Sequence, residues 1–550
     1  MIFVLASCIS VLVATLLIPP LVRLALKIGM VDRPDERKVH ATPVPKCGGI
    51  AVLAGSLFPM LFLLETESLA AGIVIGSLCL LTEALIDDIL GLGYRAKFCG
   101  QVIAACITLH LSGLSFQTLG ELWPGLRVDC ECIGFPLSVL FLVATTNIIN
   151  LSDGLDGLAG GICLLTFTCT GLLSLMQNDH STLAVCVCVM GGIVGFLRYN
   201  TFPAVVFLGD TGSQFLGFMA GIVMLMLIRE QSYSPVLPMY LLGIPVFDTL
   251  FSLIRRGSRG QPLFEPDDRH FHHKLLRLGL GHDQAVITLY SAQFCIIYIG
   301  WELRGHSDFV LLSTYLALTV TLLILPVAGN RLGRHSFMHL RYGAGRNGDS
   351  GGNAKFSSKR EFISEIAWKF LLFALCLFFL ASPLIIKSIP SEFGTYSLSV
   401  LVLLVAIRLM KPGAAEVIIK TTAYLASIYY IIALDFSGQT SLAWNPSGKE
   451  SPIIYFLFLG GCYCVYIVTT VEPIPISSFD YLLLVLAVFT FFLPEPVRFQ
   501  YDIQTTATKV FLVLASFELV FYRLRNRLSY LVAGAVPSLC LIVLKAFRYF

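Results

Sequence analysis

Carboxylates, amides and histidines gather in five short polar stretches of an otherwise apolar chain: DRPDERKVH (32–40), IDD (86–88), NIINLSDGLDGLAGG (147–161), FLGDTG (207–212) and PDDRHFHH (266–273). Such groups are costly beside hydrocarbon, so a chain that keeps them at the ends of apolar segments uses them for chemistry. Asn147, Asn150, Asp153 and Asp156 recur at every third position and form one slanting stripe on a helix. Gly154, Gly157, Gly160 and Gly161 then remove side chains, which lets a planar ring or a phosphate approach the backbone. Asp87 and Asp88 are neighbours and point about 100° apart on a helix. Their repulsion calls for a cation or a proton, although the pair read alone also suits solvation of a helix end. Asp210 lies between two apolar runs. Gly209 and Gly212 favour a tight turn there, and Thr211 and Ser213 can cap the next helix, with Asp210 as an N-cap the plainer alternative. Oxygen donors without a cysteine partner suit a hard cation such as Mg2+, completed by substrate phosphates. His270, His272 and His273 could suggest zinc, but the flanking Arg255, Arg256, Arg269, Lys274 and Arg277 favour a phosphate-binding loop.

The elements that must position these groups are membrane helices. The chain has 550 residues, 56% hydrophobic and 13% charged, with mean hydropathy +0.80. A soluble protein carries about 25% charged residues and seldom has apolar runs of the roughly 20 residues needed to cross a bilayer. The net charge of +3 gives no argument for nucleic acid. Residues 1–22 lack a basic leader and a clear cleavage site, so a retained first span is expected rather than a signal peptide. Most of the 16 cysteines lie within apolar runs, where they act as small hydrophobes.

Windows of about 19 residues place about eleven spans before residue 330, near 2–22, 48–64, 69–87, 98–115, 134–150, 157–176, 183–198, 213–228, 235–254, 284–301 and 308–328. Basic residues crowd the odd-numbered loops, whereas the even-numbered loops hold only Arg127, Arg229 and Arg304. Cytoplasmic loops are enriched in Lys and Arg, so the N-terminus is expected outside and all five polar stretches at the cytoplasmic face. A transporter would place such groups near the midplane; an enzyme joining a soluble substrate to a lipid head group needs them at one interface. Residues 331–365 read as a basic, Gly/Ser-rich cytoplasmic linker. Beyond them, 366–550 hold about seven further spans and repeat none of the polar stretches. The expected fold is an all-α polytopic membrane protein, with a catalytic region 1–330 and an additional region of separate role.

DRPDERKVHATPVPKCGGI, the IDD pair followed by LGL, NIINLSDGLDGLAGG, FLGDTGS, PVFDT and PDDRHFHHKLLRLG, in this order and spacing, resemble the polyprenyl-phosphate N-acetylhexosamine-1-phosphate transferase family over residues 1–330. The HxHH form of the last motif is similar to the bacterial branch that transfers GlcNAc-1-phosphate from UDP-GlcNAc to undecaprenyl phosphate, opening O-antigen, enterobacterial common antigen or teichoic acid synthesis. The peptidoglycan branch, which transfers phospho-MurNAc-pentapeptide, has a different histidine-rich motif. A non-catalytic transporter or receptor on the same fold would not need all the acidic positions, which are present.

The resemblance implies a Mg2+-dependent phosphoglycosyl transferase of the bacterial inner membrane, with Mn2+ as a substitute, an active site facing the cytoplasm, and no nucleic-acid partner. It makes Asp210 and Asn150 the metal ligands. Asp153 and Asp156 line the nucleotide site, Asp156 facing uracil, with Asn147 also on the substrate side. Lys38 and His40 match the first cytoplasmic loop, and His270, His272 and His273 the loop closing over sugar and diphosphate, His270 in a catalytic role. A phosphate monoester has a second pKa of about 6 and hardly needs a base, so direct attack is expected, with Asp87 and Asp88 orienting the lipid phosphate. The expected partners are the two substrates, membrane lipids, and either a second copy of the chain or other membrane proteins of the same glycan pathway.

Overall fold

The computed structural model describes residues 2–331 except 34–42, 65, 131–132, 230–231, 261–269 and 278; beyond these it describes 365–367, 369–375, 419–421, 423–428, 431, 459, 477–490 and 503–523. The first part is a helical bundle: α1 (Ile2–Ile28), α2 (Gly48–Leu63), α3 (Glu67–Leu90), α4 (Tyr94–Ser112), α5 (Gly134–Ser152), α6 (Leu158–Met176), α7 (His180–Asn200) and α8 (Gly209–Arg229). Then follow α9 (Leu237–Leu241), α10 (Gly243–Gly257), α11 (Phe271–Arg277), α12 (His282–Leu303) and α13 (Asp308–Arg331). Among the described residues, seven helices are long and apolar enough to cross a membrane: α1, α3, α5, α6, α7, α8 and α12. The chain is an all-α, multi-pass membrane protein.

The core runs along α8, which is buried from Thr211 to Ile228. Its small residues set how closely its neighbours approach: a Cβ at Gly217 would stand 2.5 Å from the Thr145 carbonyl of α5, and one at Gly49 of α2 would stand 2.1 Å from the Gly212 nitrogen. Dispersion between closely approaching backbones is what holds helices together where lipid leaves little hydrophobic drive. α1 and α2 pack on α7 in the same way, Gly191 and Gly195 meeting Ser10 and Ala14.

Two local features depart from the sequence reading. The span expected at 235–254 is broken between α9 and α10. The break is satisfied from α12: Gln293 accepts from the Ile244 N–H (2.8 Å) and donates to the Leu241 carbonyl (2.8 Å), which is how a bundle tolerates an interrupted helix. Short antiparallel strands also stand among the helices. β1 (Val31–Asp32) pairs with β2 (Val44–Pro45), and β3 (Thr118–Trp123) with β4 (Leu126–Asp129). The second pair turns at Pro124 and Gly125, whose φ of +80° suits glycine.

By internal contacts the chain forms two compact units: residues 1–332 together with 477–482, and the remainder. α14 (Ser478–Phe489) begins in the first unit, and α15 (Ile503–Arg523) lies in the second.

Candidate active site

Four helix ends meet at one point. Asp210 opens α8 just after Gly209, which turns the chain at φ +72°. Its Oδ2 accepts from the Lys97 ammonium at the start of α4 (2.6 Å), and its Oδ1 from the Asn150 amide at the end of α5 (3.2 Å). The same ammonium reaches Asp87 Oδ2 at the end of α3 (2.5 Å). One cation thus bridges two carboxylates brought from distant parts of the chain.

Asp88 is used differently. It accepts from the Asp210 and Thr211 N–H groups (3.3 and 3.2 Å) and from the Thr211 hydroxyl (2.8 Å). The unpaired N–H groups of a helix start favour an anion, so Asp88 caps α8 and fixes the direction in which Asp210 leaves it. The cap expected from Thr211 and Ser213 is therefore supplied from α3; Ser213 instead accepts from Asn150 (2.8 Å).

Beside this junction opens a cleft of about 670 Å3, lined by Asn150, Asp153, Asp156, Asp210, His273 and Lys46 among others. Asp153 faces the opening, yet protein walls it closely; that desolvation, with Asp210 and Asp156 nearby, raises its pKa to about 7. Asp156 ties the loop together, its Oδ2 accepting from the Ala204 N–H (3.0 Å) and its own N–H donating to His282 Nε2 (3.1 Å). His282 in turn stacks on Phe202, ring centroids 4.3 Å apart, leaving a flat aromatic wall at the cleft.

The histidine run forms a layered cover. His272 lies against Gly154, where any Cβ would stand 2.2 Å from its Nε2, so only glycine admits it. Burial, with His273 beside it, lowers its pKa to about 3, so the ring is neutral at working pH. His270 is buried, its Nδ1 2.9 Å from Asp248 Oδ2, while Asp248 Oδ1 accepts from the Phe271 N–H. Only His273 of the three lines the cleft. Asn147 turns toward α4 and donates to Gln101 (2.6 Å), which donates to Gln214 (3.0 Å). Lys38 and His40 lie outside the described residues.

Among the described residues no three histidine, cysteine or acidic side chains close into a metal cage. The donors at the junction are oxygen and amide groups, a half-site that substrate phosphates would complete, and that chemistry fits Mg2+.

Residues 70–228, which carry this junction, match the family model for glycosyl transferase family 4. The chain is 36% identical to a probable undecaprenyl-phosphate N-acetylglucosaminyl 1-phosphate transferase of Bacillus subtilis, over 53% of this chain and 82% of that protein. The chain belongs to this family. It is also 28% identical to a decaprenyl-phosphate N-acetylglucosaminephosphotransferase of Mycobacterium tuberculosis (56% and 83% covered). An undecaprenyl-phosphate alpha-N-acetylglucosaminyl 1-phosphate transferase of Escherichia coli K12 matches at 27% (52% and 80% covered). Each relative thus matches little more than half of the chain, which is a membrane-bound glycosyl or phosphoglycosyl transferase with a further apolar region.

Family membership does not by itself assign Lys97, Asp248 or His282, none of which the sequence reading singled out for the site. Lys97 stands at the mouth of an apolar helix, where it reads as one more interfacial cation. Asp248 lies in PVFDT without a residue beside it to mark its partner, which comes 22 positions later.

Proposed function

We propose that this enzyme transfers GlcNAc-1-phosphate from UDP-GlcNAc to undecaprenyl phosphate at the cytoplasmic face of the bacterial inner membrane. The observation that carries the reading is the Asp87–Lys97–Asp210–Asn150 junction at the edge of the cleft. An oxygen of the lipid phosphate attacks the β-phosphorus of the sugar nucleotide. The bond from that phosphorus to the bridging oxygen breaks, its electron pair leaves on the oxygen of UMP, and the product is undecaprenyl-diphospho-GlcNAc.

The protein's part is to bring two polyanions together. Asp210 and Asn150 would hold Mg2+, which neutralises diphosphate charge when bound. Lys97 supplies fixed positive charge beside Asp87, and Asp88 keeps the start of α8 in place. Asp153, Asp156 and the His282–Phe202 stack form the wall suited to a nucleotide. Beside Asp87, Ile86, Ile89, Leu90, Tyr94 and Phe98 are exposed at the turn from α3 to α4, an apolar track along which an isoprenoid chain can bring its phosphate to the junction.

The test is UMP release by the purified protein with undecaprenyl phosphate, Mg2+ and a panel of UDP-sugars. Highest turnover with UDP-GlcNAc and dependence on the divalent cation are expected. A monodisperse preparation that releases no UMP from any sugar nucleotide would overturn the proposal.

A further inference from the structure

The far end of the bundle carries a second cavity of about 390 Å3, between the β3–β4 hairpin, the end of α8 and the turn from α12 to α13. α8 runs from the junction at Asp210 to Arg229 at this cavity; at 1.5 Å per residue the two lie about 30 Å apart. The connecting segments at this end hold three basic residues, Arg127, Arg229 and Arg304, and all three line the one cavity. Cations on the outer side oppose the charge bias that orients a membrane protein, so their convergence asks for a purpose.

The acidic groups of the wall are engaged in holding the hairpin. Asp308 Oδ2 accepts from the Glu121 N–H (2.7 Å), Glu121 accepts from the Gly125 N–H, and Arg127 pairs with Asp129 (3.0 Å). Arg229 and Arg304 have no carboxylate partner among the described residues. Arg304 is steadied by the Trp301 carbonyl (2.5 Å) and by the indole face, 4.8 Å from its guanidinium carbon. An arginine in a last helical turn complements the dipole, but that role does not need a shared cavity, nor the hydroxyls of Ser232, Ser234 and Ser307 around it. Guanidinium groups with spare donors, beside hydroxyls, match the oxygens of a phosphate.

We propose that this cavity binds a phosphate-bearing anion through Arg229 and Arg304, separately from the transferase site. The anion can come from a lipid head group at the membrane surface or from free phosphate.

The full-length protein in detergent is melted with inorganic phosphate, against chloride at equal ionic strength. In parallel it is melted in nanodiscs of phosphatidylglycerol, against phosphatidylcholine. A rise in melting temperature of about 2 °C or more is expected with one of the two probes, and the probe that acts names the source. Arg229→Gln alters an exposed side chain without touching the core, and should remove most of the rise. Arg304→Lys should weaken it. UMP release should stay at the wild-type level in both variants. No rise with either probe, or the same rise in Arg229→Gln, would overturn the site; reduced UMP release with an intact rise would overturn its separateness.

Discussion

Asp87 and Asp88 stand side by side in the sequence and do different work. Asp88 spends both oxygens on the start of α8, whereas Asp87 holds the Lys97 ammonium against Asp210. Asp88→Asn should therefore lower stability by about 1 kcal/mol, as lost helix caps do, together with activity. Asp210→Asn keeps shape and removes charge; it should reduce UMP release by about 100-fold or more and flatten the Mg2+ titration. Wild-type turnover with an unchanged Mg2+ response would remove Asp210 from the proposed metal site. Two groups also tie stability to pH, with opposite signs. Asp153 holds its proton to about pH 7 in the fold but to 3.8 when unfolded. Its contribution is complete below 3.8 and lost as pH rises through 7. His272 refuses its proton down to about pH 3 in the fold, against 6.5 unfolded, so its contribution is present above 6.5 and lost as pH falls toward 3. Melting temperatures of the protein free of substrate and divalent cation, taken from pH 4 to 8, should show this as differences from wild type. Relative to wild type, Asp153→Asn should gain stability as pH rises, and His272→Gln should lose it. Parallel curves would contradict both assignments. Asn150, Asp153 and Asp156 were legible as one polar cluster, but not as the helical stripe with Asn147 that their spacing suggests: α5 ends at Ser152, so Asp153 and Asp156 reach the cleft from the turn that follows it, and Asn147 faces Gln101 instead. The cap by Asp88 was not legible, because its partners lie more than 120 positions away.

The bundle's helices were legible from apolar length, since each must satisfy its own backbone within hydrocarbon. The break between α9 and α10 was not. LPMYLLGIPVF (237–247) is continuously apolar, and the group that makes the break affordable, Gln293, sits on another helix. Gln293→Leu should strand the Ile244 N–H, while the Leu241 carbonyl keeps the Thr166 hydroxyl (2.7 Å), lowering stability by about 1–2 kcal/mol. Thermal unfolding in detergent measures this, and a wild-type midpoint would show that the break is held by packing alone, for example by Ile296, which crowds Gly243. The β3–β4 hairpin had a local signal in Pro124-Gly125, but its strands are too short and too polar to stand out beside spans. Its anchor to α13 through Asp308 is again a long-range fact, 187 positions apart.

For the whole chain, apolarity and the basic Gly/Ser-rich linker predict a first region that works alone. The contacts of residues 477–482 add a qualification that no local pattern could carry. They belong to the same compact unit as residues 1–332. Tyr481 shares a hydrogen bond with Ser291 of α12 (2.6 Å), and Phe479 lies under Arg198 of α7, ring centroid 5.4 Å from the guanidinium carbon. The Ser478 N–H faces Asp283, the neighbour of the His282 that holds Asp156. These residues buttress the back of the His282–Phe202 wall rather than the junction at Asp210. A variant ending near residue 345 should therefore insert and retain turnover, since the junction is complete without the later residues. It should melt lower and show a raised KM for UDP-GlcNAc, with kcat and the KM for undecaprenyl phosphate changed less. Tyr481→Phe with Phe479→Ala in the full-length chain should reproduce the raised KM in part, because the same two contacts are lost. Steady-state kinetics on the three proteins separate the cases. If the truncated enzyme keeps both its melting temperature and its KM, the segment at 477–482 contributes nothing to the wall. If it is stable but wholly inactive, the later region reaches the chemistry itself.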